Sequence, residues 1–221
     1  MEQSSLLPSL LRLGTEKIGI SLHDEQVEQF MAYLEQLQVW NRSFNLTGIT
    51  SGKEIVIKHF IDSLCALPVI KMKVESALLD IGTGAGFPGL PLKIVRPDID
   101  LSLVEPSPKK CSFLRFILGL LRLEKVTIFN GTLDQYMAVP TTPRLFDYIT
   151  TRALKAEVIL NDGFKLLHQD GKAILYSSQS IHTSTWRKNW TLTGEHMFRL
   201  PEEYGQRVVS IFSVLPHTKH L

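Results

Sequence analysis

The sequence predicts an α/β fold: a largely parallel sheet with helices on both faces, preceded by a helical extension. Three observations carry the prediction. From Ala77 onward, short β-rich runs alternate with stretches long enough to form crossover helices. A glycine-rich turn, Gly82-Thr83-Gly84-Ala85-Gly86, follows the first of those runs and opens a helical segment. The first 70 or so residues carry helical periodicity instead.

In the extension, Ser21-Leu22-His23-Asp24 fits a capping box, with Ser21 at the N-cap and Asp24 three residues on. Val27, Phe30, Met31, Leu34 and Leu37 then recur at helical spacing, in a helix expected to end near Trp40-Asn41. Asn45-Leu46-Thr47-Gly48 reads as a turn. A second helix is expected over residues 53–67, stopping before Pro68. Strands are expected over residues 77–81, 101–105, 126–130, 146–151 and 173–176. Residues 191–193 and 208–215 follow with only a loop between them, as an antiparallel pair at the end of the sheet. The division is therefore a helical extension over 1–70 and an α/β domain over 71–221.

Composition narrows the function. The 221 residues are 44% hydrophobic and 21% charged, which excludes a disordered chain. No apolar run reaches the roughly 18 residues of a membrane helix. The longest, from Phe113 to Leu121, is interrupted by Arg115. Met1-Glu2-Gln3 lacks the basic start of a secretory signal, so a cytoplasmic location and no membrane partner are expected. Cys65 and Cys111 make neither a disulfide framework nor a zinc site, and histidines such as His23, His59, His168 and His182 show no ligand spacing, so no metal is expected. A net charge of +2 leaves room for a local basic face without requiring one.

The glycine loop admits two ligands. Gly84, Gly86 and Gly89 satisfy G-x-G-x-x-G, the dinucleotide fingerprint. Asp80, Gly82, Gly84 and Gly86 satisfy D-x-G-x-G-x-G, the loop of S-adenosylmethionine (SAM) methyltransferases. Glu105, at the end of the second strand, stands where a ribose hydroxyl would sit in either case. Asp80 at the strand tip would repel a pyrophosphate but accept hydrogen bonds from a cationic ligand, which favours SAM. Pro88 suits the first helical turn, and Pro91 falls near its fourth position.

Around this loop the chain resembles one family. Trp40-Asn41-Arg42-Ser43-Phe44-Asn45-Leu46-Thr47 resembles the W-N-x-x-x-N-L-T signature of the RsmG family, also called glucose-inhibited division protein B. Lys58-His59-Phe60-Ile61-Asp62-Ser63 is similar to its basic-H-x-x-D-S segment. Lys110 to Leu114 and Thr151-Arg152-Ala153 are similar to its K/R-x-x-F-L and S/T-R-A segments. The resemblance runs from about residue 21 to 211. It implies a Rossmann-like, seven-strand SAM-dependent methyltransferase fold acting on N7 of a guanine in bacterial 16S ribosomal RNA, free or in the small subunit. A monomer is expected. It also implies that Gly82 and Phe87 line the SAM site, Glu105 holds the ribose, and Leu133 and Asp134 meet the adenine. Arg152 would stand at the methyl-transfer cleft, against both SAM and the guanine, and Arg207 would face RNA. The chain departs from the family at Thr132, where an arginine is usual, and at Ser177, where a lysine is usual. Two rival readings stay open: a nicotinamide-dependent oxidoreductase, and a SAM-binding RNA module with reduced catalysis.

Guanine N7 carries a lone pair and no proton, so its methylation needs no general base, only alignment. The segment Asp147-Tyr148-Ile149-Thr150-Thr151-Arg152 is not the Asn/Asp-Pro-Pro-aromatic segment of exocyclic-amine methyltransferases. Cys65 and Cys111 follow no strand at the cleft and read as packing residues. His59 and Asp62, three apart, read as a structural hydrogen bond at the junction of the two parts. Lys109 and Lys110 open the helix capped by Ser107 and are candidate RNA contacts, followed by Arg115, Arg122 and Lys125. Arg42, Lys53 and Lys58 add charge in the extension, and Arg187 and Lys188 lie beside Trp186 and Trp190.

Overall fold

In the computed structural model the structure describes residues 2–140, 144–152, 154–181 and 189–215. The extension folds as α1 (Glu2–Glu16), α2 (Asp24–Phe44), α3 (Gly52–Ile55), a π-helical turn over Val56–Ile61, α4 (Asp62–Leu64) and α5 (Leu67–Ile70). The sheet domain follows as β1 (Ala77–Ile81), α6 (Gly89–Val95), β2 (Asp100–Glu105), α7 (Pro108–Leu120), β3 (Val126–Asn130) and α8 (Leu133–Met137). It closes with β4 (Phe146–Thr151), α9 (Ala156–Asp162), β5 (Leu167–Ser177), β6 (Trp190–Arg199) and β7 (Gln206–Val214). No described helix is long and apolar enough to cross a membrane.

Several expected boundaries move, each for a local reason. Helix α2 starts at Asp24, with His23 rather than Ser21 at the N-cap; the His23 backbone N–H donates to Gln26 Oε1, closing the box two residues later than expected. It runs on to Phe44, where Asn45 takes a left-handed conformation and ends it. The helix expected over 53–67 is three pieces, and Pro68 sits in the first turn of α5, where its missing N–H is tolerated. Pro88 is the N-cap of α6 rather than its first residue. Strands β5 and β6 are longer than expected. β6 is an edge strand; Gly194 and His196 interrupt its inward row of Trp190, Leu192 and Phe198, and Met197 stands in its outward row, which blurs the apolar alternation in sequence.

The seven strands lie in the order β3-β2-β1-β4-β5-β7-β6. The pairs from β3 to β5 are parallel, and β7 runs antiparallel between β5 and β6. Residues alternate faces along each strand. Leu78, Leu103, Tyr148 and Ile174 meet Phe30, Tyr33, Phe60 and Phe113 from the extension and α7. Leu79, Ile81, Ile149 and Leu175 meet Leu133, Ile159 and Leu160 from α8 and α9 on the other face. The winding reverses between β1 and β4, so the crevice for a ligand lies beyond their C-terminal ends.

Candidate functional site

Beyond β1 the chain turns through Gly82, Gly84 and Gly86, at φ +69°, +64° and +106°, a region that disfavours a Cβ. Two acids hold the loop. Asp80 Oδ2 accepts from the Thr83 hydroxyl at 2.6 Å and the Gly89 N–H at 2.8 Å, tying one end of the loop to the other. Glu105 Oε2 accepts from the Gly84 N–H and Oε1 from the Ser107 N–H, each at 2.9 Å. Asp80 is fully buried and its Oδ1 has no partner. Burial raises its pKa to about 6, against the pull of the Thr83 and Gly89 hydrogen bonds and of Arg152. The structure thus places Asp80 beneath the loop rather than open at the strand tip.

This geometry bears on which ligand fits. A pyrophosphate needs free N–H groups at a helix N-terminus. At the start of α6 the Gly89 N–H is engaged by Asp80, the Leu90 N–H by Gly86 O and the Leu92 N–H by Pro88 O, and Pro91 has none. An acid already occupies that end. Above the loop, a Cβ on Gly84 would meet nothing nearer than Lys110 Nζ at 4.0 Å. The residues fit a phosphate-free ligand lying over an open glycine backbone, with one buried carboxylate oxygen unpaired beneath it.

The second half of the site gathers at the end of β4. Arg152 Nη1 donates to Lys58 O at 3.0 Å and pairs with Asp62 Oδ2 at 3.4 Å; its Nη2 donates to His59 Nδ1 at 2.8 Å. Because Nδ1 accepts, the ring proton is on Nε2, which donates to Thr47 Oγ1 at 2.8 Å. Burial and the Arg152 charge lower the His59 pKa to about 3, so the ring is neutral. Asn41 clamps the Thr47 backbone through both its N–H and its carbonyl, each at 2.9 Å. The His59 ring stacks on Phe87 at 4.4 Å, and the Arg152 guanidinium lies 5.1 Å from the same ring. The asparagine and threonine of Trp40 to Thr47 and the histidine and aspartate of Lys58 to Ser63 therefore form one relay that holds Arg152.

Asp62 is 2% exposed and also pairs with Arg207 Nε at 3.1 Å; burial raises its pKa against both arginines. His59 and Asp62 do not bond each other, as the spacing had suggested. Arg152 stands between them and takes both. A cavity of about 290 Å³ opens here, walled by Lys58, His59, Asp62, Arg152, Ser177 and Arg207.

The remaining expected site residues divide. Phe87 is packed between Tyr33 and His59, leaving its backbone toward the loop. Leu133 is buried and Asp134 exposed, on the first turn of α8. Thr132 caps that helix in a box with Gln135, a role arginine cannot fill. Lys109 is exposed and Lys110 half-buried at the start of α7. Cys65 and Cys111 are buried, and burial raises the Cys65 thiol to about 12. Ala153, His182, Trp186, Arg187 and Lys188 lie outside the described residues. Tyr33 and Tyr176 were not expected at the site. The Tyr33 hydroxyl donates to Ala85 O in the loop, and Tyr176 Oη donates to Ser63 O at 2.7 Å. A tyrosine within the apolar stripe of α2 was the available signal, since its buried hydroxyl must find a partner.

Comparison with known proteins gives a family. Residues 26–204 match the GidB family model, described as rRNA small subunit methyltransferase G. The chain is 42% identical over 154 residues to the ribosomal RNA small subunit methyltransferase G of Caldanaerobacter subterraneus, an alignment spanning 70% of this chain and just under two thirds, 64%, of that protein. It is 43% identical to the protein of that name from Roseiflexus castenholzii, over 79% of this chain and 74% of the other. With that of Bacillus licheniformis it shares 34% over 90% of this chain and 86% of the other. Two solved structures share the fold. TrmN from Thermus thermophilus matches with a TM-score of 0.58 at 13% identity, over 70% of this chain and 48% of that one. MtNAS in complex with MTA and tNA matches with a TM-score of 0.60 at 13% identity, over 83% and 70%.

Proposed function

The chain belongs to the GidB family, and on that premise we propose that it is a SAM-dependent methyltransferase that methylates N7 of a guanine in bacterial 16S ribosomal RNA. The observation that carries the reading is the loop from Asp80 to Gly89. It lies at the reversal point of the sheet, its helix has no free N–H for a phosphate, and it adjoins a cation-walled cavity. Gly82, Gly84 and Gly86 would let SAM approach the backbone. Glu105 would take the ribose, and Leu133 and Asp134 the adenine. Asp80 would sit beneath the cationic amino-acid end.

When bound, SAM would supply a methyl on a sulfonium for the N7 lone pair, the C–S bond breaking as the C–N bond forms, the sulfur leaving as a neutral thioether and the positive charge passing to the methylated base. No proton leaves N7, so no base is required, and a neutral His59 suits a positioning role. Arg152 is fixed by His59 and Asp62 and presents its remaining edge to the cavity. Lys58 is paired with Glu54, and Arg152 and Arg207 share one carboxylate, Asp62, so the cavity keeps one positive charge in excess, suited to RNA phosphate even with serine at 177. We take the protein to act as a monomer in the cytoplasm.

The test is transfer from labelled SAM to 16S RNA and to small subunits from cells lacking the protein, with N7-methylguanine mapped by reduction and aniline cleavage. A single stop in 16S RNA is expected. SAM binding without incorporation would instead support the non-catalytic RNA module.

A further inference from the structure

We propose that the face formed by the C-terminal half of α2 and the exposed side of α7 is a docking surface for single-stranded RNA, with Phe116 stacking on a base and Lys109 and Arg115 on the flanking phosphates. The proposal rests on the reading that the substrate is RNA.

Exposed aromatic rings locate the surface. Among the exposed large hydrophobics of the described residues the only aromatics are Phe44 and Phe116, each 41% exposed. They fall on the same spot, because Trp40 contacts both, at ring-centroid distances of 5.4 and 5.3 Å. Lys109, Phe113, Phe116 and Leu120 recur at spacings of four, three and four, which sets them along one stripe of α7. Phe113 is the buried member on which Trp40 rests, edge-on at 5.5 Å. Phe116 therefore stands on a rigid base and keeps a ring face in solvent.

Charge selects the partner. Residues 36–44 and 106–121 contain no acid but carry Arg42, Lys109, Lys110 and Arg115. None of these four side chains makes a hydrogen bond or ion pair among the described residues. Exposed rings bordered by unpaired cations fit a strand whose bases stack and whose phosphates need counter-charge. A protein partner would ask for an apolar face of matching size, and the cations would then stay unpaired.

The surface is also continuous with the site. Lys110 Nζ reaches to within 4.0 Å of the position of a Cβ on Gly84. A line of rings runs inward from Phe116 through Trp40, Phe113, Tyr33 and Phe87 to His59. A strand lying on α7 would have its neighbouring nucleotides at the mouth of the glycine loop.

The test is fluorescence anisotropy of a labelled, unstructured 20-nucleotide RNA against the full chain. Phe116→Ala is expected to weaken binding roughly tenfold, and Phe116→Trp to restore it. Arg115→Ala and Lys109→Ala are each expected to flatten the slope of log affinity against log salt by about 0.7. SAM affinity should stay unchanged in all three; the thermal midpoint should hold in Arg115→Ala and Lys109→Ala and fall slightly in Phe116→Ala, which loses its packing on Trp40, and be regained in Phe116→Trp. Unchanged RNA affinity in Phe116→Ala overturns the proposal. So does a loss seen with small subunits but not with the free RNA, which would mark a protein contact. If the wild type methylates 16S RNA and Phe116→Ala binds and turns over normally, the surface falls and the activity stands. If the wild type methylates nothing but the stacking and salt effects hold, the surface stands and the activity reading falls.

Discussion

Asp62 is the acid around which the charges of the cavity are arranged. It is 2% exposed and carries two arginines on one oxygen. Removing one member of a buried charge group leaves the others uncompensated, at a cost of about 3 kcal/mol. Asp62→Asn is therefore expected to lower the unfolding free energy in urea by about that amount. It should also cut turnover by roughly tenfold to a hundredfold, because Arg152 loses its charged side-chain anchor. Normal turnover in a folded variant would show that His59 alone positions Arg152. Asp80 behaves differently because it titrates. Its folded pKa of about 6 lies above the ordinary 3.8, so the native state prefers the protonated form. The stability that this preference contributes is fully present below pH 4 and is lost as pH rises through 6. The change is worth about 3 kcal/mol. The stability difference between wild type and Asp80→Asn, from urea unfolding at a series of pH values, should fall across that window and level off above pH 7. A flat difference would mean that Asp80 is not desolvated as the structure has it.

At the scale of elements, the glycine loop separates backbone strain from packing. Gly84 needs its glycine for φ alone, since a Cβ there meets open space; Gly84→Ala should cost about 1–2 kcal/mol. At Gly86 the same Cβ would come within 2.5 Å of the Tyr33 hydroxyl and 2.6 Å of Leu90. Gly86→Ala must therefore displace the Tyr33 and Leu90 side chains and should lower the thermal midpoint more than Gly84→Ala does. Both should weaken SAM binding by calorimetry. Equal midpoints would place Tyr33 away from the loop. The loop, strands β1, β3 and β4 and the Ser107 cap were legible in sequence because each is a local pattern: an apolar run with polar ends, a glycine cluster, a serine before Pro108. The start of α2 was ambiguous, because Ser21 and His23 both precede an acid or amide at box spacing and only backbone geometry chooses between them. The partners of Arg152 were not legible. His59 and Asp62 lie 93 and 90 residues away in sequence, and no local rule links the end of a strand to a π-helical turn that far upstream. Their motif marked them as important without saying what they hold.

For the whole molecule, the question is whether residues 71–221 can stand without the extension. The change of pattern at Ala77 suggests a boundary, but the packing argues for one cooperative unit. Leu78, Phe87, Leu90, Phe113 and Tyr148 share a core with Phe30, Tyr33 and Phe60 of the extension. Hydrogen bonds cross the same junction, among them Gln26 to Ile94 O, Gln29 to Leu121 O, Tyr33 to Ala85 O, Tyr176 to Ser63 O and Arg152 to Lys58 O. Each large apolar side chain left uncovered forfeits roughly 1.5–3 kcal/mol. Five of them approach the 5–15 kcal/mol that holds a typical domain together. A fragment of residues 71–221 is therefore expected to lack a cooperative urea transition and to bind a hydrophobic dye, while the full chain unfolds in a single step. If the fragment instead unfolds cooperatively, with a denaturant slope in proportion to its length, the extension is an accessory to a self-sufficient sheet domain. The relay from Asn41 to Arg152 would then act on the chemistry alone, and its loss would leave the fold intact.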